Sequence, residues 1–238
     1  MMDRGWIPYC GAAPLPADWL ARWNGDPLLI LAFAATASLA LRRGVDRPFW
    51  AGMAVLVLLF VSPLCALSSA LFSVRVVHHV LLTAVAAPWL LWGMPRLAIR
   101  GSAPLWAAAH ILLFWIWHAP APYAAALSSD LIFWTMQLSL LASALAFWGA
   151  LRRAAAPTAI LLLLAMMVQM GLLGALITFA GAPLYPPHAV STFAWNLTPL
   201  EDQQLAGLIM WAPAAAFYLA AALWRGWHML APRATAIR

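Results

Sequence analysis

The chain has 238 residues, 66% of them hydrophobic and 8% charged, with a formal net charge of +6. That balance excludes a soluble globular domain, whose surface needs far more solvating groups. It also excludes nucleic-acid binding, because every basic residue is an arginine and no five of them cluster as a phosphate-binding patch requires.

Residues 1–26 form an arm that carries Trp6, Pro8, Pro14, Pro16, Trp19 and Trp23 among scattered charges. No basic segment followed by an apolar run occurs there, so the arm is not a cleavable signal peptide, and its tryptophans suit a headgroup region. Cys10 and Cys65 form no Cys-x-x-Cys pattern, which excludes a disulfide framework and a cysteine-based zinc site. Seven apolar stretches follow, at about 27–42, 49–69, 74–95, 103–119, 127–151, 157–180 and 203–225. Each approaches the roughly 20 residues that a helix needs to cross lipid with its backbone polar groups satisfied internally. The connections are short and rich in Pro, Gly and Arg, with no internal repeat. The expected fold is therefore all-α and integral to the membrane: one seven-transmembrane helix bundle over 27–225, followed by a tail at 226–238.

Arginines set the expected orientation. Arg42, Arg43 and Arg47 follow the first stretch, Arg96 and Arg100 the third, Arg152 and Arg153 the fifth, and Arg225, Arg233 and Arg238 the seventh. By the positive-inside rule these connections are cytoplasmic. Asp3, Asp18, Asp26, Asp130, Glu201 and Asp202 fall on the other side, and only Asp46 joins the arginines. Both charge sets predict a multi-pass protein of a bacterial inner membrane, N-terminus periplasmic and C-terminus cytoplasmic.

Ionisable residues at membrane depth are costly and mark function by default. On this topology His78 and His79 lie one to two turns below the outer surface, and His118 ends the fourth stretch on the same side. Soft donors accompany them: Met166, Met167 and Met170 with Gln169 in the sixth stretch, Gln203, Gln204 and Met210 in the seventh, and Cys65 near the outer end of the second. Imidazole with thioether or thiolate in a dry setting suits copper, above all Cu(I), better than magnesium or calcium. His79, His118, His78, Asp202, Met170 and Cys65 are thus the candidate metal-site residues. His78 and His79 are rotated by about 100° from each other on a helix, so at most one easily faces a given site. His110, about 12 Å deeper than His118, reads as a hydrogen-bonded core residue, and His188 and His228 as incidental. Thr198-Pro199-Leu200-Glu201 reads as a capping box, which accounts for Glu201 and leaves Asp202 as the acid nearest a site. Arg75 precedes His79 by four residues and shares its helix face.

Ser62-Pro63-Leu64, Leu71-Phe72-Ser73, Val77-His78-His79-Val80-Leu81-Leu82, Ala86-Ala87-Pro88, Trp117-His118-Ala119-Pro120, Leu184-Tyr185-Pro186 and the specific run Asp202-Gln203-Gln204-Leu205-Ala206-Gly207-Leu208-Ile209-Met210-Trp211 occur in order between about residues 25 and 225. Together they resemble the CtaG-type cytochrome c oxidase assembly factors. The resemblance implies a seven-span protein needed to assemble haem–copper oxidases and connected with copper supply. His79, His118 and the Asp202-Gln203-Gln204 group match the family's motif positions. Where many members carry a histidine four residues before His79 this chain has Arg75, and His78 is additional.

The expected function is to hold Cu(I) in an outer-leaflet pocket and pass it to cytochrome c oxidase subunits by ligand exchange, without enzymatic chemistry. A periplasmic copper chaperone and membrane lipids are the expected further partners. The alternatives are a b-type haem protein with two axial histidines and a copper transporter. The latter would need soft ligands through the full membrane thickness, and the inner half is poor in them.

Overall fold

In a computed structural model, which describes residues 8–230, the chain is helical throughout, with no strand among the described residues. Asp3, Trp6, Arg233 and Arg238 lie outside that range. Helices form at all seven expected positions. They are α1 (Pro27–Arg43), α2 (Arg47–Phe60), α3 (Leu64–Ala70), α4 (Phe72–Trp92), α5 (Ala103–His118), α6 (Pro120–Ala126), α7 (Asp130–Arg153), α8 (Ala156–Thr178) and α9 (Pro199–Leu230). Four of them, α4, α7, α8 and α9, are long and apolar enough to cross a membrane, and the α2–α3 pair, bent by 47°, makes a fifth if taken as one crossing. α1 and α5 have 17 and 16 residues, about 25 Å of helix against a hydrocarbon core of about 30 Å. α9 runs on through 226–230, residues expected in the tail.

Local chemistry explains the boundaries. Pro27 opens α1, where its missing N–H is no loss, and the Asp26 carboxylate accepts from Leu28 N at 2.8 Å. Gly44, at φ 60°, closes α1 in a left-handed conformation that glycine tolerates best. At α9 the expected capping box is present: Thr198 Oγ1 accepts from Glu201 N at 3.2 Å, and Glu201 Oε2 accepts from Thr198 N at 2.8 Å. α4 and α9 each contain one π-helical turn, Leu81–Ala86 and Met210–Ala214, the second around Pro213.

Leu31, Leu112, Leu161 and Leu223 are each more than half exposed, while Arg75 and five histidines are buried. Apolar outside and ionisable inside is the arrangement of a protein whose solvent is lipid. Close helix contact relies on small residues. A Cβ placed on Gly207 of α9 would sit 2.2 Å from Thr178 Oγ1 and 2.6 Å from Gly174 O of α8.

The bundle has two distinct ends. At one, Arg152 donates to Leu91 O and Leu97 O, Arg225 to Ala154 O, and Asp46 N to Gly93 O. At the other, the N-terminal arm folds back over the helices. Asn24 donates from its backbone to Val61 O and from its side chain to Phe60 O, Trp195 donates to Pro14 O, and Trp19 packs edge-on against Trp195. Tyr9 stacks on Phe133 and donates to the Asp26 carboxylate. Burial and that bond push the Tyr9 hydroxyl up to about 12, and the same bond holds the Asp26 carboxyl below its usual range.

One expectation fails here. Cys10 and Cys65 form a disulfide with Cα atoms 5.3 Å apart. Fifty-five residues separate them, and only the fold-back of the arm onto α2 and α3 brings them together, which no spacing motif announces. Gly207→Ala should separate α8 from α9 and cost about 1–3 kcal/mol, read as a lower unfolding midpoint in mild detergent.

Candidate functional site

The site begins where α3 stops. Leu71 is extended (φ −127°, ψ 128°), and α4 starts at Phe72 with its first N–H groups free of intrahelical partners. Asp202, in the first turn of α9, supplies the missing acceptor. Its Oδ2 accepts from Phe72 N at 2.7 Å, and its Oδ1 from Ser73 N at 3.2 Å and Ser73 Oγ at 2.5 Å. A carboxylate there also meets the positive end of the α4 dipole. Asp202 therefore docks one helix on another. Both of its oxygens are engaged, a structural use that the sequence reading did not foresee. Gln203 beside it is equally committed. Its amide donates to Ile177 O and Ala182 O and accepts from Leu184 N at 2.6 Å, tying down the turn after α8.

Two turns into α4, His79 meets His118 at the end of α5. His79 Nδ1 and His118 Nε2 are 3.4 Å apart, with ring centroids at 5.2 Å and planes nearly perpendicular. His118 Nδ1 lies 2.7 Å from Phe114 O. Because a carbonyl only accepts, Nδ1 carries the proton and Nε2 presents its lone pair to His79. A ring nitrogen donating to a backbone carbonyl is also how metal-ligating histidines are oriented. His79 Nε2 is buried with no partner. Both side chains are sealed from solvent.

The other candidates are placed elsewhere. His78 turns to α2, with Nε2 3.2 Å from Leu59 O and its ring edge-on to Phe60, as the rotation between neighbouring helical residues requires. Met170 is buried in α8, and its neighbour Gln169 accepts from Trp115 Nε1 of α5 at 2.9 Å. Cys65 is spent in the disulfide, so it offers no thiolate. Among the described residues no three His, Cys, Asp or Glu side chains form a group able to hold a metal. The structure thus brings two of the six candidates face to face and gives Asp202 and Cys65 other work. His110, bonded to Ser143 Oγ at 2.8 Å, is the core histidine expected.

His188 is not incidental. It is buried, with Nε2 2.7 Å from Tyr123 OH. Tyr185 OH donates to His118 O at 2.8 Å and its ring stacks on Phe72 at 3.7 Å. The connection between α8 and α9 therefore closes over the histidine pair through Tyr185 and His188. Arg75 is fully buried as well, its guanidinium carbon 5.3 Å from the centre of the Phe133 ring. Sequence reasoning missed this closure because a proline-rich loop reads as solvent-exposed. Tyr185 and His188, placed among prolines with no nearby charge, were the available hint.

A helical membrane protein with a sealed imidazole pair under a structured connection is the class that this geometry defines. The family model of the cytochrome c oxidase caa3 assembly factors (Caa3_CtaG) matches residues 31–231, and the chain belongs to that family. No curated protein and no solved structure matches the chain.

Two outcomes follow from these contacts. Asp202→Ala strands two buried N–H groups of α4 and should cost about 2–4 kcal/mol, against about 1 kcal/mol for Glu201→Ala in the capping box, both by unfolding in detergent. Burial first, and then the charge of Arg75, push His188 down to about 3. The unfolded chain then binds the extra proton, so the His188 contribution is full above about 6.5 and is lost as pH falls toward the folded value. The stability gap between wild type and His188→Gln should shrink between about pH 8 and about pH 5.

Proposed function

We propose that the chain crosses a bacterial inner membrane seven times, N-terminus periplasmic and C-terminus cytoplasmic. In that position it serves assembly of a haem–copper cytochrome c oxidase by holding Cu(I) between His79 and His118 and passing it to an oxidase subunit. The exchange of ligands needs no covalent step, so the protein is not an enzyme.

The facing imidazoles carry this reading. Two nitrogens bound to one ion at about 2.0–2.1 Å, with a near-tetrahedral angle between them, are about 3.4 Å apart, the spacing found between His79 Nδ1 and His118 Nε2. A set of two nitrogens falls short of the four donors of a structural zinc site and contains none of the oxygen ligands that magnesium and calcium demand. It matches a soft monovalent ion held at a bent two-nitrogen seat, with its remaining positions open to a ligand from the donor or the recipient. The same spacing argues against haem, because a macrocycle would have to lie between two rings already in contact. His78 and Met170 remain outer candidates for a ligand picked up during transfer. The α8–α9 connection, with Tyr185 and His188, is the segment that has to move for copper to enter or leave. A periplasmic copper chaperone fits as the donor.

Topology is supported by two independent features. The arginine-rich connections gather at one end of the bundle, as the positive-inside rule places them at the cytoplasm. The Cys10–Cys65 disulfide lies at the opposite end, and disulfides persist in oxidising compartments such as the periplasm.

Protein purified in mild detergent should bind about one Cu(I) per chain, with nitrogen scatterers at about 2 Å in X-ray absorption. The His79→Ala, His118→Ala double substitution should abolish both binding and oxidase assembly. Full copper occupancy in the double variant would remove the metal role. Reporter fusions at Arg152–Arg153 should read cytoplasmic and fusions near Asp130 periplasmic; the reverse result overturns the orientation.

A further inference from the structure

Arg75 carries a permanent charge, since a guanidinium does not deprotonate in proteins. It lies in α4 with no exposed surface, and none of its three nitrogens meets a carboxylate or a backbone carbonyl. The one ion pair among the described residues is Arg22–Asp18, far out on the arm. The one buried acid among the described residues, Asp202, is fully used by Phe72 and Ser73. The Tyr123 hydroxyl, bonded to His188, is the one polar group close to the guanidinium; it can accept from it but carries no negative charge. The remaining contact is the face of Phe133, itself stacked under Tyr9 of the arm.

These partners do not balance the charge. A cation–π contact recovers only part of the desolvation penalty that a buried ion carries even after relaxation. The five N–H donors form a planar fork that suits an anion. We propose that Arg75 is the centre of an anion-binding site for a small monovalent anion of chloride size, enclosed by Phe133, Tyr123, His78 and His188. Phe133, Tyr123 and His78 are fully buried and His188 nearly so, so the site is closed to a carboxylate side chain of another protein, and a small ion displaces the packed rings least. One guanidinium calls for one negative charge. The site does not depend on copper, although an anion held there would offset the charge of a cation at the neighbouring His79.

The experiment uses the full chain in mild detergent, exchanged into sodium gluconate and titrated with sodium chloride at constant ionic strength. The wild-type unfolding midpoint should rise by about 5 °C at saturation, with bromide equivalent and sulfate without effect. Arg75→Gln should show the same midpoint in gluconate and in chloride. Should that variant not fold, bromide exchange into the wild type decides. About one bromide per chain should survive desalting, with nitrogen neighbours at hydrogen-bonding distance in bromine X-ray absorption. A wild-type midpoint indifferent to halide, a halide response retained by Arg75→Gln, or no retained bromide would each overturn the site.

Discussion

The carboxylate of Asp202 and the first turn of α4 join positions 129 and 130 residues apart in the chain. A membrane offers no water to satisfy a helix N-terminus at depth, so the orphan N–H groups of Phe72 and Ser73 need a protein acceptor. Asp202 is that acceptor, and the capping box of Thr198 and Glu201 holds the turn that presents it. With the start of α4 fixed against α9, His79 arrives at a set height and angle opposite His118. Tyr185 then binds the His118 carbonyl and stacks on Phe72, the residue that Asp202 has just anchored. The imidazole pair, the closing connection and the helix junction are one piece of construction.

The same low dielectric that makes an unpaired group expensive makes a paired one rigid. Gln203, Trp115, Trp148 and Tyr185 each spend a polar atom on a neighbouring helix or connection, and so cross-link a bundle that hydrophobic burial alone would not hold in lipid. α1 is the exception. It buries only Leu29 and Ala40 and is held mainly at its N-terminal end, by Asn24, Tyr9 and the arm.

Much of this was legible in the residues. Apolar runs place helices because backbone satisfaction in lipid admits little else, and each of the seven stretches is helical. The Thr198–Glu201 box and the core role of His110 were readable because both depend on short-range geometry. His79 and His118 emerged as a pair because their depths match. What was not legible depends on chain segments meeting far from their sequence neighbours. The arm carries Cys10 back to Cys65, the connection after α8 folds inward to bury His188, and α9 lends Asp202 to α4. The bend between α2 and α3 also escaped notice, although Pro63 lies within it. The resemblance to the assembly factors rested on residues such as Asp202 and Gln203, whose motif turns out to encode helix docking.

The π-helical turn at Leu81–Ala86 begins two residues below His79. It leaves Thr83 O to accept from Trp148 Nε1 of α7 at 2.9 Å, while Thr83 Oγ1 donates back to the carbonyl of His79 at 2.8 Å. The wider turn therefore works as a spacer clamped at both sides. Adding or deleting one residue within it would rotate the two halves of α4 by about 100° about the helix axis, so the half that Asp202 anchors, with His79, and the half packed on α7 could not both keep their seats. Sequence change in this segment is thus constrained in length as well as in composition, whereas α1, loosely seated at the rim, carries no such arithmetic.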